Sequence, residues 1–193
     1  MPRKLKQPSP PGPDDLLRLL AELKFSTLAT ELHEVLRWAG AEQPDFTTFL
    51  ARALTIERDG RKERRLERLL RRARLRTAPL LDDFNFSIRA KLSGRAIKEL
   101  GRCRFVDEGR NVLCLGKSST GKTHIAKAIG RNACLLGKKT YFTVASELLD
   151  ELIAAEEEGT FRRLWKRYVR CDLLILDEAG YAPFDKRHAN LLF

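Results

Sequence analysis

The chain has 193 residues, 43% of them hydrophobic, and a formal net charge of +11. That length holds one medium domain plus a smaller module, the apolar fraction is that of a globular core, and no apolar run approaches the roughly 20 residues of a membrane span. Cys103, Cys114, Cys134 and Cys171 are scattered without a C-x-x-C, which excludes a disulfide framework and a zinc site. They read as small core residues in a reducing cytosol, Cys114 in a strand and Cys134 in a helix. His33, His124 and His188 have no ligand spacing and are expected to be structural or solvent-facing.

Residues 1–13 are basic and proline-rich with no apolar stretch, so they read as a disordered leader and not as a secretory signal. Residues 14–78 read as a helical basic domain. Asp14 and Asp15 are placed to cap a first helix carrying Leu16, Leu17, Leu19, Leu20 and Leu23. Ser26 is placed to cap a second, with Leu28, Leu32, Val35, Leu36 and Ala39 on one face and Gly40 at its end. Pro44-Asp45 opens a third, which continues past Gly60 toward Arg76 with a weak point at the glycine.

Arg58–Arg76 holds ten basic side chains against three acids, a surplus of seven out of the chain's eleven. Leu66, Leu69, Leu70 and Ala73 form a narrow apolar stripe, expected to pack on the first two helices. The arginines then cover the remaining faces. A solvated face, a protein partner and a DNA backbone all fit such a helix. The lopsided sign favours DNA, with Arg61, Arg64, Arg65, Arg68, Arg71 and Arg72 as the contacts.

Residues 79–100 read as a linker and anchor. Phe84 and Phe86, within Asp82-Asp83-Phe84-Asn85-Phe86, are expected to tuck onto the following domain, and Ser93–Leu100 to form a helix ending at Gly101.

Residues 101–193 carry the chemistry. Gly116-Lys117-Ser118-Ser119-Thr120-Gly121-Lys122-Thr123 fits G-x-x-x-x-G-K-[ST], a loop whose backbone N–H groups cradle phosphates. Lys122 supplies a charge to the β- and γ-phosphates of ATP, and Thr123 a hydroxyl to Mg²⁺. The apolar run Asn111–Leu115 upstream predicts a strand buried on both faces. Downstream, His124–Leu136 predicts a helix with Ile125, Ala128, Ile129, Ala133 and Leu136 inward and Gly137 as its stop. Lys139–Val144 predicts a second strand. Ser146 is placed to cap a helix over Glu147–Glu157. Phe161, Leu164, Trp165 and Tyr168 form a helical stripe, expected in the core, on a helix whose Arg162, Arg163, Lys166 and Arg167 are a lesser candidate DNA surface. Asp172–Asp177 predicts a third strand ending in two acids. Asp177 is assigned to Mg²⁺ and Glu178 to polarising the attacking water. The element order is that of an α/β fold with a parallel sheet, which binds nucleotide at the strands' carboxyl ends.

Ile97–Leu100, Arg104–Leu113, Gly121-Lys122-Thr123-His124, Asp172–Tyr181 and Ala189–Phe193 resemble the IstB-like ATP-binding helper proteins of bacterial insertion sequences. So do the Asp83-Phe84-Asn85-Phe86 anchor and the basic helical region. The resemblance implies an AAA+ P-loop ATPase fold related to DnaC-type helicase loaders. It also implies a cytoplasmic protein that forms ATP-dependent homo-oligomers on DNA and recruits a transposase to target DNA. A replicative helicase loader and an inactive remnant are the alternatives.

Two departures from the family pattern stand out. Lys117, Ser118 and Ser119 replace Pro, Pro and Gly, so Ser119 takes on whatever backbone geometry the glycine allowed, at a cost if φ is positive. The chain also stops at Leu191-Leu192-Phe193, in an apolar helix capped by Asp185. The resemblance places a polar sensor and an arginine finger after that point. The expectation is therefore a C-terminally truncated copy, an incomplete AAA+ core that binds ATP and hydrolyses it weakly or not at all.

Overall fold

The computed structural model describes residues 12–86 and 93–180. Residues 1–11 of the leader, Tyr181, Asp185, His188 and the closing Ala189–Phe193 run lie outside the described residues, while Pro13, read as leader, begins the first helix. The chain divides into two compact units, the first ending at Arg65 and the second beginning at Leu66.

In the first unit α1 (Pro13–Glu22) starts with proline, whose missing N–H would have had no helical partner there. Asp15 accepts the Gly12 N–H at 3.2 Å. Ser26 is the first residue of α2 (Ser26–Glu42) and does not cap it. The cap comes from another helix: the N–H groups of Thr27 and Leu28 donate to Glu57 Oε2 at 2.9 and 3.0 Å. Asp45 does cap α3 (Phe46–Arg72), accepting from the Thr47 and Thr48 N–H groups and from the Thr48 hydroxyl. Leu20, Leu28, Leu32, Val35 and Ala53 form the core of this unit.

Helix α3 runs unbroken through Gly60. A Cβ at Gly60 would lie 2.0 Å from Thr27 Oγ1 and 2.7 Å from Thr27 Cβ. The glycine is the contact that lets α2 and α3 approach, so packing outweighs its low helix propensity.

The second unit opens with the last turns of α3. Leu70, Ala73, Leu75 and Ala78 are buried with Cys134, Phe142 and Ile175, and Leu66 and Leu69 pack beside them. This corrects the expectation that the leucine stripe lies on the first two helices. The chain turns at Arg74 (φ 57°), and Ala73 O accepts the Phe142 N–H at 3.0 Å, which carries the stripe onto the sheet.

A 3₁₀ turn (Leu81–Asp83) follows, then α4 (Gly94–Leu100), capped by the Ser93 hydroxyl accepting from Ala96 N–H at 3.2 Å, and the short α5 (Arg104–Asp107). Helix α6 (Lys122–Leu135) buries Ile125, Ala128, Ile129, Ala133 and Cys134. Leu136, expected inward, is exposed, because it lies in the turn that ends α6: the Lys138 N–H donates to Ala133 O across Gly137 (φ 81°).

Strand β1 (Thr140–Val144) leads directly into α7 (Ala145–Glu157), which starts one residue before Ser146 and has no side-chain cap bond. Helix α8 (Phe161–Val169) and β2 (Leu173–Asp177) follow. The strands pair in parallel, in register from Thr140 opposite Leu173 to Val144 opposite Asp177. Tyr168 is buried edge-on against Tyr141, with Phe161 and Leu164 beside them, so these three pack in the core, whereas Trp165, expected with them, is exposed and stacks on the Phe161 ring. A parallel strand pair joined through helices, with the phosphate-loop helix packed on it, is an incomplete α/β P-loop NTPase core.

The expected strand at Asn111–Leu115 is not a strand among the described residues. The run has no ladder partner, and Leu113 and Leu115 are 80% and 83% exposed. It lines a cleft of about 520 Å³ together with β2. Cys114, expected in the core, is exposed with it. An apolar run becomes a strand only where another edge satisfies its N–H and C=O groups. β2 pairs with β1 and only shares the lining of the cleft with this run.

Candidate nucleotide site

The loop lies between the extended run and α6, so its geometry is set by how α6 begins. Gly121 takes φ 90° at the N-cap, a conformation that glycine tolerates and side-chain-bearing residues resist. Helix α6 then starts at Lys122, with its unpaired N–H groups and positive dipole end at the loop. Ser119 has φ 57°, the left-handed conformation anticipated where the family pattern has glycine.

Lys122 folds over the loop. Its Nζ donates to Gly116 O at 2.9 Å and to Lys117 O at 2.8 Å. Thr120 Oγ1 donates back to Lys117 O at 2.8 Å and closes the turn. Gly116, Lys117, Ser118, Ser119, Thr120, Gly121, Lys122 and Thr123 thus form one continuous bend, and Lys122 also lines the cleft.

The acids arrive from β2. Thr123 Oγ1 donates to Asp177 Oδ2 at 2.8 Å. Asp177 Oδ1 accepts the Glu178 N–H at 3.1 Å, and Glu178, at φ 56°, is exposed on the cleft wall. The two residues assigned to Mg²⁺ are therefore neighbours. A hydroxyl and one carboxylate are the hard-oxygen donors that Mg²⁺ takes while keeping waters and phosphate oxygens for its other positions. The donor set fits the ion. Among the described residues no three His, Cys, Asp or Glu side chains converge as a fuller metal cage.

His124, next to the motif and expected to be structural or solvent-facing, is partly buried. Its ring lies 5.2 Å from that of Phe84, and its buried Nε2 has no hydrogen-bond partner among the described residues. The anchor aromatics do pack where expected: Phe84 and Phe86 lie against the cluster of Leu81, Ile97, Phe105 and Ile125.

The chain matches the family model described as IstB-like ATP binding protein over residues 18–193. It belongs to the IstB-like ATP binding protein family. A Pseudomonas aeruginosa protein named as the ATP-binding protein of insertion sequence IS21 is 33% identical over 91% of this chain and 66% of its own length. The corresponding protein of insertion sequence IS5376 from Geobacillus stearothermophilus is 32% identical over 89% and 68%. One from Bacteroides fragilis strain YCH46 is 29% identical over 93% and 90%. The chain spans about two thirds of the length of the first two. The family's description gives ATP binding, and these relatives are named for insertion sequences.

The six arginines proposed for DNA divide into two groups. Arg61 Nε and Arg64 NH2 donate to Glu57 Oε1 at 2.8 and 3.1 Å, and Arg61 also donates to Lys24 O. Arg64 NH1 donates to the Thr27 hydroxyl as well. Glu57 is only 1% exposed. Burial pushes its carboxyl up, but the Arg61 hydrogen bond and the Leu28 and Thr27 amides outweigh this and hold it below the usual range. Arg61 and Arg64 therefore compensate a buried charge. Arg65, Arg68, Arg71 and Arg72 are exposed, with no ion pair among the described residues. No helix among the described residues is long and apolar enough to cross a membrane.

Proposed function

We propose that this chain is the nucleotide-binding helper of an insertion sequence, which holds ATP with Mg²⁺ at the loop, binds DNA and assists a transposase. The observation that carries the nucleotide half is the Thr123–Asp177 hydrogen bond. It joins the phosphate loop to an acidic strand end 54 residues away, the pairing a Mg²⁺–nucleotide site needs. In this reading the loop amides and Lys122 hold the phosphates, while Thr123 and Asp177 hold the ion. Held there, Mg²⁺ would supply positive charge to offset that of the phosphates. Glu178 orients the attacking water.

The DNA half rests on α3. Arg65, Arg68 and Arg72 follow helical spacing on one face, with Arg71 beside them, and all four are free to meet phosphates. ATP-dependent self-assembly and recruitment of a transposase are proposed from family membership.

Titration calorimetry with MgATP tests the nucleotide half: wild type binds, and Lys122→Ala does not. Equal affinity in the two proteins would remove the loop from the site. A gel-shift series in salt tests the DNA half.

A further inference from the structure

The segment that precedes α4 has a property the sequence motif does not contain. It places four apolar side chains over four glycines. Leu75 Cδ1 lies 2.7 Å from where a Cβ of Gly130 would be, and Leu81 Cδ2 lies 2.6 Å from that of Gly101. Phe84 Cε2 lies 2.5 Å from that of Gly121, and Phe86 Cγ 3.3 Å from that of Gly94. Two of these glycines belong to α6 and its N-cap, and two flank or begin α4. Interiors pack at crystal-like density, so a side chain occupying a missing Cβ fixes the backbone beneath it.

One of the four sockets belongs to the phosphate loop itself. Gly121 is the N-cap of α6, and its O accepts the Ile125 N–H at 3.0 Å in the helix's first turn. The Phe84 ring covers Gly121 and also lies against the rings of His124 and Phe86, at 5.2 and 5.0 Å. It therefore touches the residues on both sides of Lys122 and Thr123. We infer that Phe84 is a positioning residue of the nucleotide site: it presses the loop glycine and the first turn of α6 into register, so that Lys122 and Thr123 aim at the phosphates and the ion. Ser119, two residues before Gly121, holds φ 57°, a conformation that costs a non-glycine residue energy, so the loop depends on a fixed first turn of α6. Phe84 supplies that fixed point at Gly121 from a segment that contributes no motif residue.

The inference rests on the nucleotide reading for its effect on affinity, but its structural half can be read without nucleotide. The test compares wild type, Phe84→Ala, Phe84→Met, Phe86→Ala and Lys122→Ala. Two quantities are measured: hydrogen exchange of the Ile125 amide in the nucleotide-free protein, and MgATP affinity by calorimetry. Phe84→Ala is expected to speed Ile125 exchange at least tenfold and to weaken MgATP at least tenfold. Phe84→Met, which keeps apolar length, restores most of both. Phe86→Ala removes a comparable ring from a different socket. It lowers the melting temperature as Phe84→Ala does, yet leaves both readouts within twofold of wild type. Wild-type exchange in Phe84→Ala, or equal acceleration in Phe86→Ala, overturns the inference. If wild type binds MgATP no better than Lys122→Ala, the nucleotide reading fails, and the exchange result still decides whether Phe84 positions the loop.

Discussion

Thr123 Oγ1 and Asp177 Oδ2 lie 2.8 Å apart, one at the start of α6 and the other at the end of β2. The parallel pairing sets the far side of this contact, because Val144 opposite Asp177 places the carboxylate at the strand's carboxyl end. The contact makes Asp177 an ion ligand in our proposal, and not a second phosphate ligand. Asp177→Asn is therefore expected to keep most of the affinity for ATP without Mg²⁺ and to lose the gain that Mg²⁺ brings. Calorimetry with and without Mg²⁺ measures this. An unchanged Mg²⁺ effect would place the ion elsewhere.

Ser119 carries a side chain at φ 57° inside the loop. The left-handed conformation costs a non-glycine residue roughly 1–2 kcal/mol. Ser119→Gly removes that cost but gives the unfolded chain more freedom, which offsets up to about 1 kcal/mol. The net expectation is a small stabilisation, visible as a rise in denaturant midpoint at unchanged slope.

Gly60→Ala separates propensity from packing. Helix propensity alone favours alanine by about 1 kcal/mol. The added Cβ would meet Thr27 at 2.0–2.7 Å, so overpacking of about 1–3 kcal/mol opposes it. A lower melting temperature is expected. Stabilisation would mean that α2 and α3 shift apart at little cost.

Glu57 ties pH to the stability of the first unit. Its carboxyl is held below the ordinary range in the folded chain, against about 4.3 in an unfolded one. The stabilisation it provides is complete above the unfolded value and is lost as pH falls through the folded one. Glu57→Gln should therefore lower stability by about 1–3 kcal/mol at neutral pH, where it leaves the cap and the arginines poorly matched. It should also flatten the acid limb below about pH 4. Urea unfolding from pH 7 down to pH 3 reads both effects.

The arginines of α3 are expected to part into two classes. Replacing Arg65, Arg68, Arg71 and Arg72 with Gln should flatten the salt dependence of DNA binding, by about 0.9 in log–log slope for each phosphate that is no longer neutralised, with little change in melting. Arg61→Gln and Arg64→Gln should do the reverse, lowering the melting temperature because Glu57 loses its partners. If the first set leaves the slope unchanged, Arg162, Arg163, Lys166 and Arg167, all exposed on α8, become the candidates.

The sequence by itself determined the local chemistry. The phosphate loop, the helix after it, the strands at 140 and 173, the acidic end at Asp177, the strain at Ser119 and the Asp45 cap all follow from residue types within a few positions of each other, because dihedral preference, hydrophobic period and capping are local. What depends on distant partners was decided only by the tertiary structure. The run at 111–115 has a strand's composition but no paired edge among the described residues. Helix α2 is capped by a carboxylate 29 and 30 residues away and not by Ser26. The leucine stripe of α3 turns onto the sheet, two of its arginines serve a buried glutamate, and four glycines are sockets for the segment at 75–86. A residue's type states what it can bond or bury. Which partner it meets depends on how chain segments far apart in sequence are brought together, and no window of neighbouring residues contains that information.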